Sequence, residues 1–370
     1  GTLDGAGNAV TEQQTTREGV PGNPYSYQLE ARVLDAGQQE IAAGRRVFVH
    51  PASFYIGARL SSKENGAWST FVPRGEEVIA VWHLVDPEGG VHRAPTDGLI
   101  LEAGLYRIDW KIAQQAVDTD RDRYAMVEEL EATQTIRADQ PSGSVTFRPK
   151  RGGLYRIKLQ TSDESSRPAV TDLEFYATGA DWIPWGGDST VIGLETDREL
   201  YVPGETATVL VKSPLPNGTY LVTVERAEIL EEYLIDLDGS AQVIGIPVRE
   251  DHVPVVYVSV ASYSVRSGTP SNTYYSPDLE KPKAYYGVVP IHVDTSARRI
   301  EVDIETEGVT YLPGGKAEIV IQATHQGRAV SGAEVTFVAV DRGVVDLIDY
   351  HIPDPLDYFY SESRFPLGVR

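Results

Sequence analysis

The carboxylates Asp118, Asp120 and Asp122 are the residues of this chain whose spacing comes nearest to a metal site. They occupy the first, third and fifth positions of a calcium loop, and Glu129 falls at the twelfth. The sixth position, where such a loop turns sharply and calls for glycine, is Arg123, which also brings positive charge toward the ion. A solvated acidic loop is therefore the favoured interpretation, with calcium binding as the alternative, and we expect no cofactor in the chain.

The other residue types that perform catalysis form no recognisable motif. The seven histidines are scattered without a His-x-His or His-Glu-x-x-His pair, so no zinc site is indicated, and we expect His252 and His325 at the surface or at strand ends. The absence of cysteine excludes disulfides and thiol catalysis. Neither a Gly-x-Ser-x-Gly elbow nor a phosphate-binding glycine loop occurs. We predict that the chain is not an enzyme.

The charge balance excludes two classes of partner. With 33 basic and 54 acidic residues, the formal net charge is −21, which disfavours binding to nucleic acid or to anionic membranes. No run of 18 apolar residues occurs, so we expect no membrane insertion. The chain opens at Gly1 without a methionine or a signal-like apolar core, and we expect it to be a piece of a longer protein.

Two aromatic segments could form contacts with a partner. Trp182 and Trp185 flank an Ile-Pro pair, and because aromatics provide a large area at interfaces, we expect them to join adjacent domains. The alternative is a sugar-binding surface that also uses Trp68. Residues 351–370 combine aromatics and arginines with three prolines, which prevents a regular strand ladder. We expect this segment to be exposed, poorly structured and easily cut by proteases, the alternative being a truncated tail with no role.

The elements that must position these residues are predicted to be strands. Residues 25–33, 153–160, 317–323 and 333–340 alternate apolar and polar side chains between Gly, Pro, Asp or Asn, which is typical of half-buried antiparallel strands. The Asn217-Gly218 pair predicts a hairpin turn. Residues 118–133 and 225–234 are rich in Glu and Leu, and periodicity does not decide between helix and strand there.

An internal repeat is the strongest signal of organisation. Tyr201-Val202-Pro203-Gly204 recurs 110 residues later as Tyr311-Leu312-Pro313-Gly314, and residues 71–75 form a weaker copy. Each copy precedes a strand-like run, and Pro followed by Gly predicts a type II turn. The spacing suits a whole β-sandwich of about 100 residues. We therefore predict an all-β chain of tandem antiparallel sandwiches of the fibronectin-III or immunoglobulin type, with seven strands each.

Five segments follow from this repeat. They are the second half of a sandwich domain, a complete domain, a second complete domain, the first part of a further domain, and an inserted tail. Their predicted boundaries are residues 1–51, 52–186, 187–295, 296–348 and 349–370.

Several segments together resemble the bacterial alpha-2-macroglobulins. The stretch Val340-Asp341-Arg342-Gly343-Val344-Val345-Asp346-Leu347, with the Asp-Pro-Leu-Asp-Tyr-Phe-Tyr run that ends at Tyr360, is similar to the family's entry into its bait region. Tyr201-Val202-Pro203-Gly204 resembles the opening of the preceding domain, and residues 181–185 resemble a linker between macroglobulin domains. The resemblance covers nearly the whole chain and implies a row of seven-stranded macroglobulin domains.

The resemblance also implies a function. Members of this family are broad-spectrum protease inhibitors: a protease cuts the bait, the assembly collapses around it, and a Cys–Gln thioester captures it in many members. This chain has no cysteine and therefore no such thioester. The implied role is a non-catalytic scaffold with the start of the bait, whose candidate cleavage residues are Tyr358, Arg364, Phe365 and Arg370.

The implied partners are target proteases and other domains of the same parent chain. The implied location is the periplasm or cell envelope, with the parent held at the inner membrane through a lipidated N-terminus. A structural cell-surface stalk or adhesin made of tandem sandwiches is the alternative function.

Overall fold

Most of the described residues fold into antiparallel strands, as the alternating patterns of residues 25–33 and 153–160 predict, but residues 333–340, also predicted as a strand, form none. The computed structural model describes residues 2–12, 15, 23–34, 40–61, 70–93, 98–112, 124–183, 185, 190–269, 278, 280–308, 310–312, 314–340, 343, 345 and 353–367. The chain divides into two compact units, Gly1–Gly179 and Ala180–Arg370. Within the described residues, no helix has both the length and the apolar character needed to cross a bilayer.

The first unit begins with an isolated hairpin. Strands β1 (Tyr25–Leu34) and β2 (Glu40–Val49) pair antiparallel, with Ala31 opposite Ala43. The period of two places Leu29 and Val33 of β1 on the same face as Ile41 and Val47 of β2, since a strand points successive side chains to opposite sides. Apolar side chains on this hairpin remain open to solvent, with Leu29 46% and Ile41 74% exposed.

A closed sandwich follows in the same unit. One sheet has the order β3-β5-β8 and the other the order β4-β10-β9-β6-β7. The strands are β3 (Tyr55–Ser61), β4 (Phe71–Pro73), β5 (Val78–Val85), β6 (Leu99–Ile112), β7 (Tyr124–Ala138), β8 (Ser142–Phe147), β9 (Gly153–Ser162) and β10 (Pro168–Thr178). The ambiguous stretch 118–133 is strand from Tyr124 onward, because pairing with β6 overrides its local helical composition.

Among the described residues, the second unit contains a closed sandwich of seven strands. Its sheets have the orders β11-β12-β15 and β14-β13-β16-β17. The strands are β11 (Gly193–Thr196), β12 (Thr206–Lys212), β13 (Asn217–Glu225), β14 (Ile229–Asp238), β15 (Ala241–Pro247), β16 (Val255–Tyr263) and β17 (Ala284–His292). The expected all-β architecture of antiparallel sandwiches is thus confirmed.

One local prediction in this sandwich is wrong. Asn217 and Gly218 are the first residues of β13, where they pair with Asp238 and Leu237, and they do not form a hairpin turn. The chain passes from β12 in one sheet to β13 in the other, so these two strands are not hydrogen-bonded neighbours. The hairpin lies later, between β13 and β14, so the ambiguous stretch 225–234 contains the last residue of β13, the turn and the first part of β14.

Alternating side chains fill the first core, whereas strands of the second core also bury consecutive residues. In β5, Val78, Ala80, Trp82 and Leu84 are all buried, and in β9 the inward residues include Tyr155. The first core is assembled from residues between Ala52 and Ala177, and the second from residues between Ile192 and Val293. The five domain boundaries derived from the repeat stay predictions.

The second unit continues with an open sheet and short helical turns. Strands β18 (Ile300–Thr306), β19 (Ile319–His325) and β20 (Arg328–Ala329) form a three-stranded sheet in which every residue of β18 is exposed. Single 3-10 turns lie at Glu250–His252, Ser296–Arg298 and Glu362–Arg364, and a short α-helix spans Pro355–Phe359.

The repeated motif has one structural role in the two sandwiches. In the first, β4 runs parallel to the last strand, with Val72 opposite Ala177. In the second, Tyr201 forms a parallel bridge to Val293, just beyond the end of the last strand. The repeat therefore joins each sandwich's opening segment to its closing segment.

The turn itself occurs in all three copies. A backbone hydrogen bond links Glu76 N to Pro73 O, Glu205 N to Val202 O, and Gly315 N to Leu312 O, at 3.0, 3.1 and 3.0 Å. The third residue of each turn is a glycine with positive φ: Gly75 at 84°, Gly204 at 97° and Gly314 at 81°. This is the predicted type II turn. In the first copy Arg74 occupies the position of Pro203, so the weaker copy aligns one residue later than its sequence suggests.

Candidate functional site

The segment 353–367 is folded, contrary to the expectation of a poorly structured tail. Asp354 caps the helix Pro355–Phe359, because its Oδ1 accepts a hydrogen bond of 2.9 Å from Leu356 N. Proline is favoured in the first helical turn, so the Asp-Pro sequence starts a helix rather than only interrupting a strand. The 3-10 turn Glu362–Arg364 follows. Within this segment Pro355 is thus the first residue of a helical turn.

Arg226 forms the surface against which this segment lies. It follows β13 and is half-buried. Its Nη1 donates to Val253 O at 3.3 Å and its Nη2 to Asp251 O at 3.2 Å. These two carbonyls hold the planar guanidinium, whose central carbon lies 5.1 Å from the ring centre of Phe365. This geometry is a cation–π contact between the sandwich and the segment.

Three further contacts fix the segment. Tyr257 on β16 donates from its hydroxyl to Glu362 Oε1 at 3.4 Å. Arg299 Nη2 lies 2.6 Å from Asp354 Oδ2. Tyr360 is partly buried and packs against the core of the second sandwich.

The contacts shift the pKa values of Tyr257 and Asp354. Burial raises the pKa of Tyr257, and the nearby charge of Glu362 and the hydrogen bond to it raise that pKa further. The hydrogen bond from Arg299, together with that from Leu356 N, lowers the pKa of Asp354. Asp354 is therefore ionised at neutral pH, where its charge is paired with that of Arg299.

The candidate cleavage residues have different environments. Arg364 is exposed, and its guanidinium carbon lies 4.0 Å from the ring centre of Tyr358, which is itself 57% exposed. Phe365 is half-buried and faces Arg226 instead. The bond between Arg364 and Phe365 thus lies at the end of a 3-10 turn, with both neighbouring side chains against aromatic or cationic partners. Arg370 lies outside the described residues.

His252 is buried, which corrects the expectation of a surface or strand-end position. It lies in the turn Glu250–His252, whose neighbouring carbonyls bind Arg226, and its Nδ1 accepts from Arg249 N at 3.2 Å. Burial lowers the pKa of His252, and the cations Arg249 and Arg226 add to that effect, whereas Asp251 opposes it. A neutral histidine here supports the turn. The other histidine, His325, is half-buried, with its Nε2 2.7 Å from Ala297 O.

The tryptophan cluster contacts the second sandwich. Trp185 donates from its indole nitrogen to Ser240 O at 2.6 Å, and Ile183 N donates to Ser240 Oγ at 2.6 Å. Ile183 is fully buried, whereas Trp182 is 56% exposed. The role of Trp182 and Trp185 in joining two domains stays a prediction.

The structure does not describe the predicted acidic loop or Trp68 of the possible sugar-binding surface. Asp118, Asp120, Asp122 and Trp68 lie outside the described residues. Among the residues that the structure does describe, no group of three or more His, Asp or Glu side chains is arranged to hold a metal ion.

The residues that fix the segment were not found by sequence reasoning. Asp354-Pro355 has a recognisable signal, because Asp before Pro is a common helix start. Arg226, Tyr257 and Arg299 lie far from the segment in sequence and have no motif, so their role depends on strand pairing that brings them together.

Comparison with known proteins finds bacterial alpha-2-macroglobulins that are similar to this chain. Residues 192–347 match the family model described as the alpha-2-macroglobulin bait region domain. An alpha-2-macroglobulin homolog of Nostoc is 24% identical over 94% of this chain, and one of Deinococcus radiodurans is 23% identical over 94%. The alpha-2-macroglobulin of Escherichia coli is 25% identical over 100%. The alignments cover 17%, 31% and 22% of these three relatives, so the chain spans between a sixth and a third of their length.

Solved structures of bacterial alpha-2-macroglobulins are among those similar to this chain. The native conformation from E. coli is 22% identical, with a TM-score of 0.32, over 92% of this chain and 21% of that one. The trypsin-activated form from E. coli is 22% identical, with a TM-score of 0.29, over 91% and 22%. The bait-region match over residues 192–347 and the alignments over nearly the whole chain confirm the resemblance to the bacterial alpha-2-macroglobulins.

Proposed function

We propose that the chain is a non-catalytic scaffold of a broad-spectrum protease-trapping inhibitor and that the segment starting at residue 349 is the beginning of its bait. Cleavage of the bait triggers a conformational change that entraps the protease. The relatives belong to a family of protease inhibitors, and the bait-region match over residues 192–347 ends directly before this segment. The match supports a bait region domain in this chain, whereas the assignment of the bait itself to the segment after residue 347 depends on the exposed, cleavable side chain of Arg364.

The chemistry of the segment supports a cleavable role. It offers the exposed side chain of Arg364 to trypsin-like enzymes and Tyr358 and Phe365 to enzymes that prefer aromatics. Its helix has five residues, too few to be stable without tertiary contacts. A protease can therefore open this segment far more easily than either sandwich core.

The partners and location belong to the same proposal. Target proteases are the partners, as suggested by a structure described as trypsin-activated among the similar proteins. Other domains of the parent chain are further partners. A periplasmic or cell-envelope location, with anchoring of the parent at the inner membrane, follows from the family resemblance.

A stalk or adhesin is the competing function, and limited proteolysis distinguishes the two. The chain and its longer parent are treated with trypsin, elastase and subtilisin at low ratio, and the cuts are mapped by mass spectrometry. We expect cuts within residues 350–370, resistant sandwiches, and a parent that becomes more compact by small-angle scattering. Cuts confined to the segments between sandwiches, or a cut parent of unchanged dimensions, would favour the stalk.

A further inference from the structure

We propose that Arg226 controls access to the Arg364–Phe365 bond, so that this bond is a gated cleavage site whose opening requires Phe365 to leave the sandwich. The inference rests on the proposed function, and it names the residue that sets how fast this part of the bait is cut.

The segment around the Arg364–Phe365 bond is folded in a form that a protease does not bind. A protease binds the residues around a scissile bond in an extended form, and a substrate that is folded must first unfold locally. Residues on the amino side of the Arg364–Phe365 bond form the turn Glu362–Arg364, in which Phe365 N donates to Glu362 O at 2.9 Å. The Arg364 side chain lies on the Tyr358 ring. The bond is therefore closed to a protease in the docked state.

Arg226 is held in a fixed position next to the scissile bond. Its guanidinium is held by the carbonyls of Asp251 and Val253, so the surface that it presents to Phe365 is fixed before the segment docks. The residue directly after the scissile bond is the one in contact with Arg226. Tyr257 and Arg299 hold residues on the amino side, at Glu362 and Asp354.

The contacts that hold the segment on the sandwich are individually weak. Arg299 is 49% and Asp354 31% exposed, and ion pairs at such sites contribute little stability. The Tyr257–Glu362 hydrogen bond is long at 3.4 Å. Docking is therefore weak, and the bond is cut more slowly than in a free peptide but still much faster than bonds within the sandwiches.

The test compares trypsin cleavage at Arg364 in the chain and in a synthetic peptide of residues 353–370. Variants are made on the sandwich side, so the sequence around the scissile bond never changes. We expect the intact chain to be cut more slowly than the peptide. R226A should raise the rate in the chain about 2- to 5-fold, the range for loss of a weak, partly exposed cation–π contact.

Two controls keep the test specific. R266A removes a cation of the same sandwich that pairs with Asp278 at 2.9 Å, and it should leave the rate at Arg364 unchanged. Cleavage at Lys212 and Arg249 in the same digests reports unfolding of the sandwich. If those cuts also accelerate in R226A, R299A is used instead, because Arg299 lies outside the sandwich core and contacts the segment at Asp354.

Two results would overturn the inference: equal cleavage rates for the intact chain and the peptide, or an R226A variant that is cut at Arg364 at the same rate as R266A. Failure of the proposed function is a separate outcome. In that case the variants would change the cleavage rate as expected, but cleavage of the longer parent would not alter its dimensions.

Discussion

The second and third copies of the repeated turn have the same local geometry and very different surroundings. In both, an amide three residues upstream donates to the tyrosine hydroxyl: Arg198 N to Tyr201 Oη at 3.2 Å and Gly308 N to Tyr311 Oη at 2.9 Å. Tyr201 is 1% exposed inside a closed sandwich, whereas Tyr311 is 43% exposed beside the open sheet β18–β20. The local sequence thus forms the turn, whereas the surrounding domain determines whether the tyrosine ring is buried.

The largest expected difference between the two copies concerns the aromatic ring. Replacing Tyr201 with alanine removes a fully buried ring and should lower the free energy of unfolding of its sandwich by about 3–5 kcal/mol. Y311A removes a half-exposed ring and should cost about 0.5 kcal/mol. Urea denaturation of both variants, followed by tryptophan fluorescence, measures the contrast.

A third variant separates packing from hydrogen bonding in that contrast. Y201F keeps the ring but removes the hydroxyl that donates to Asp197 Oδ1 at 2.6 Å, and it should cost about 1 kcal/mol. If Y201A and Y311A were equally destabilising, the distinction between the closed sandwich and the open sheet would be wrong.

The next largest expected effect on stability comes from a buried carboxylate of the first sandwich, and it depends on pH. Asp163 is 2% exposed at its side chain, and its oxygens accept from Ser53 N, Ser165 N and Arg167 N and Nε at 2.8–3.0 Å. Burial would raise the pKa of Asp163, but the hydrogen bonds from Arg167 and Ser53 and the charge of Arg167 outweigh it and lower the pKa to about 2.

The sign of the pH effect follows from that shift. Because the folded state has the lower pKa, the stabilisation from Asp163 is fully present above pH 4 and is lost as the pH falls from about 4 to 2. It amounts to about 2 kcal/mol. The difference in unfolding free energy between wild type and D163N should therefore shrink over this range. A difference that stays constant from pH 5 to pH 2 would contradict the assigned shift.

The smallest effect tests the turn glycines. Gly204 and Gly314 both have positive φ, and a Cβ at either would meet no atom within 4 Å, so only backbone strain opposes alanine. G204A should cost about 1–2 kcal/mol, the usual strain of an L-residue in this region. G314A introduces the same strain beside the open sheet, and calorimetry should show the transition of the second sandwich unchanged. A shift of that transition in G314A would link the third copy to the sandwich core.

Sequence reasoning succeeded where the physical signal is local. The period of two in 153–160 became β9, and the Pro-Gly pairs became type II turns with positive φ at Gly204 and Gly314. It failed at Asn217-Gly218 and at residues 353–367, where composition suggested a hairpin turn and an unstructured tail. In these two cases, pairing between strands and docking on the sandwich decided the structure.

The sequence by itself determined the all-β class, the repeated turn and the family resemblance. The alternation of apolar and polar residues, the Pro-Gly turn and the family motifs each depend on residues that are close together in the sequence. Only the tertiary structure decided that His252 is buried and that Arg226 faces Phe365. Arg226 and Phe365 are 139 residues apart in the chain. Contact between such distant residues depends on the order of strands in a sheet, which no local pattern specifies.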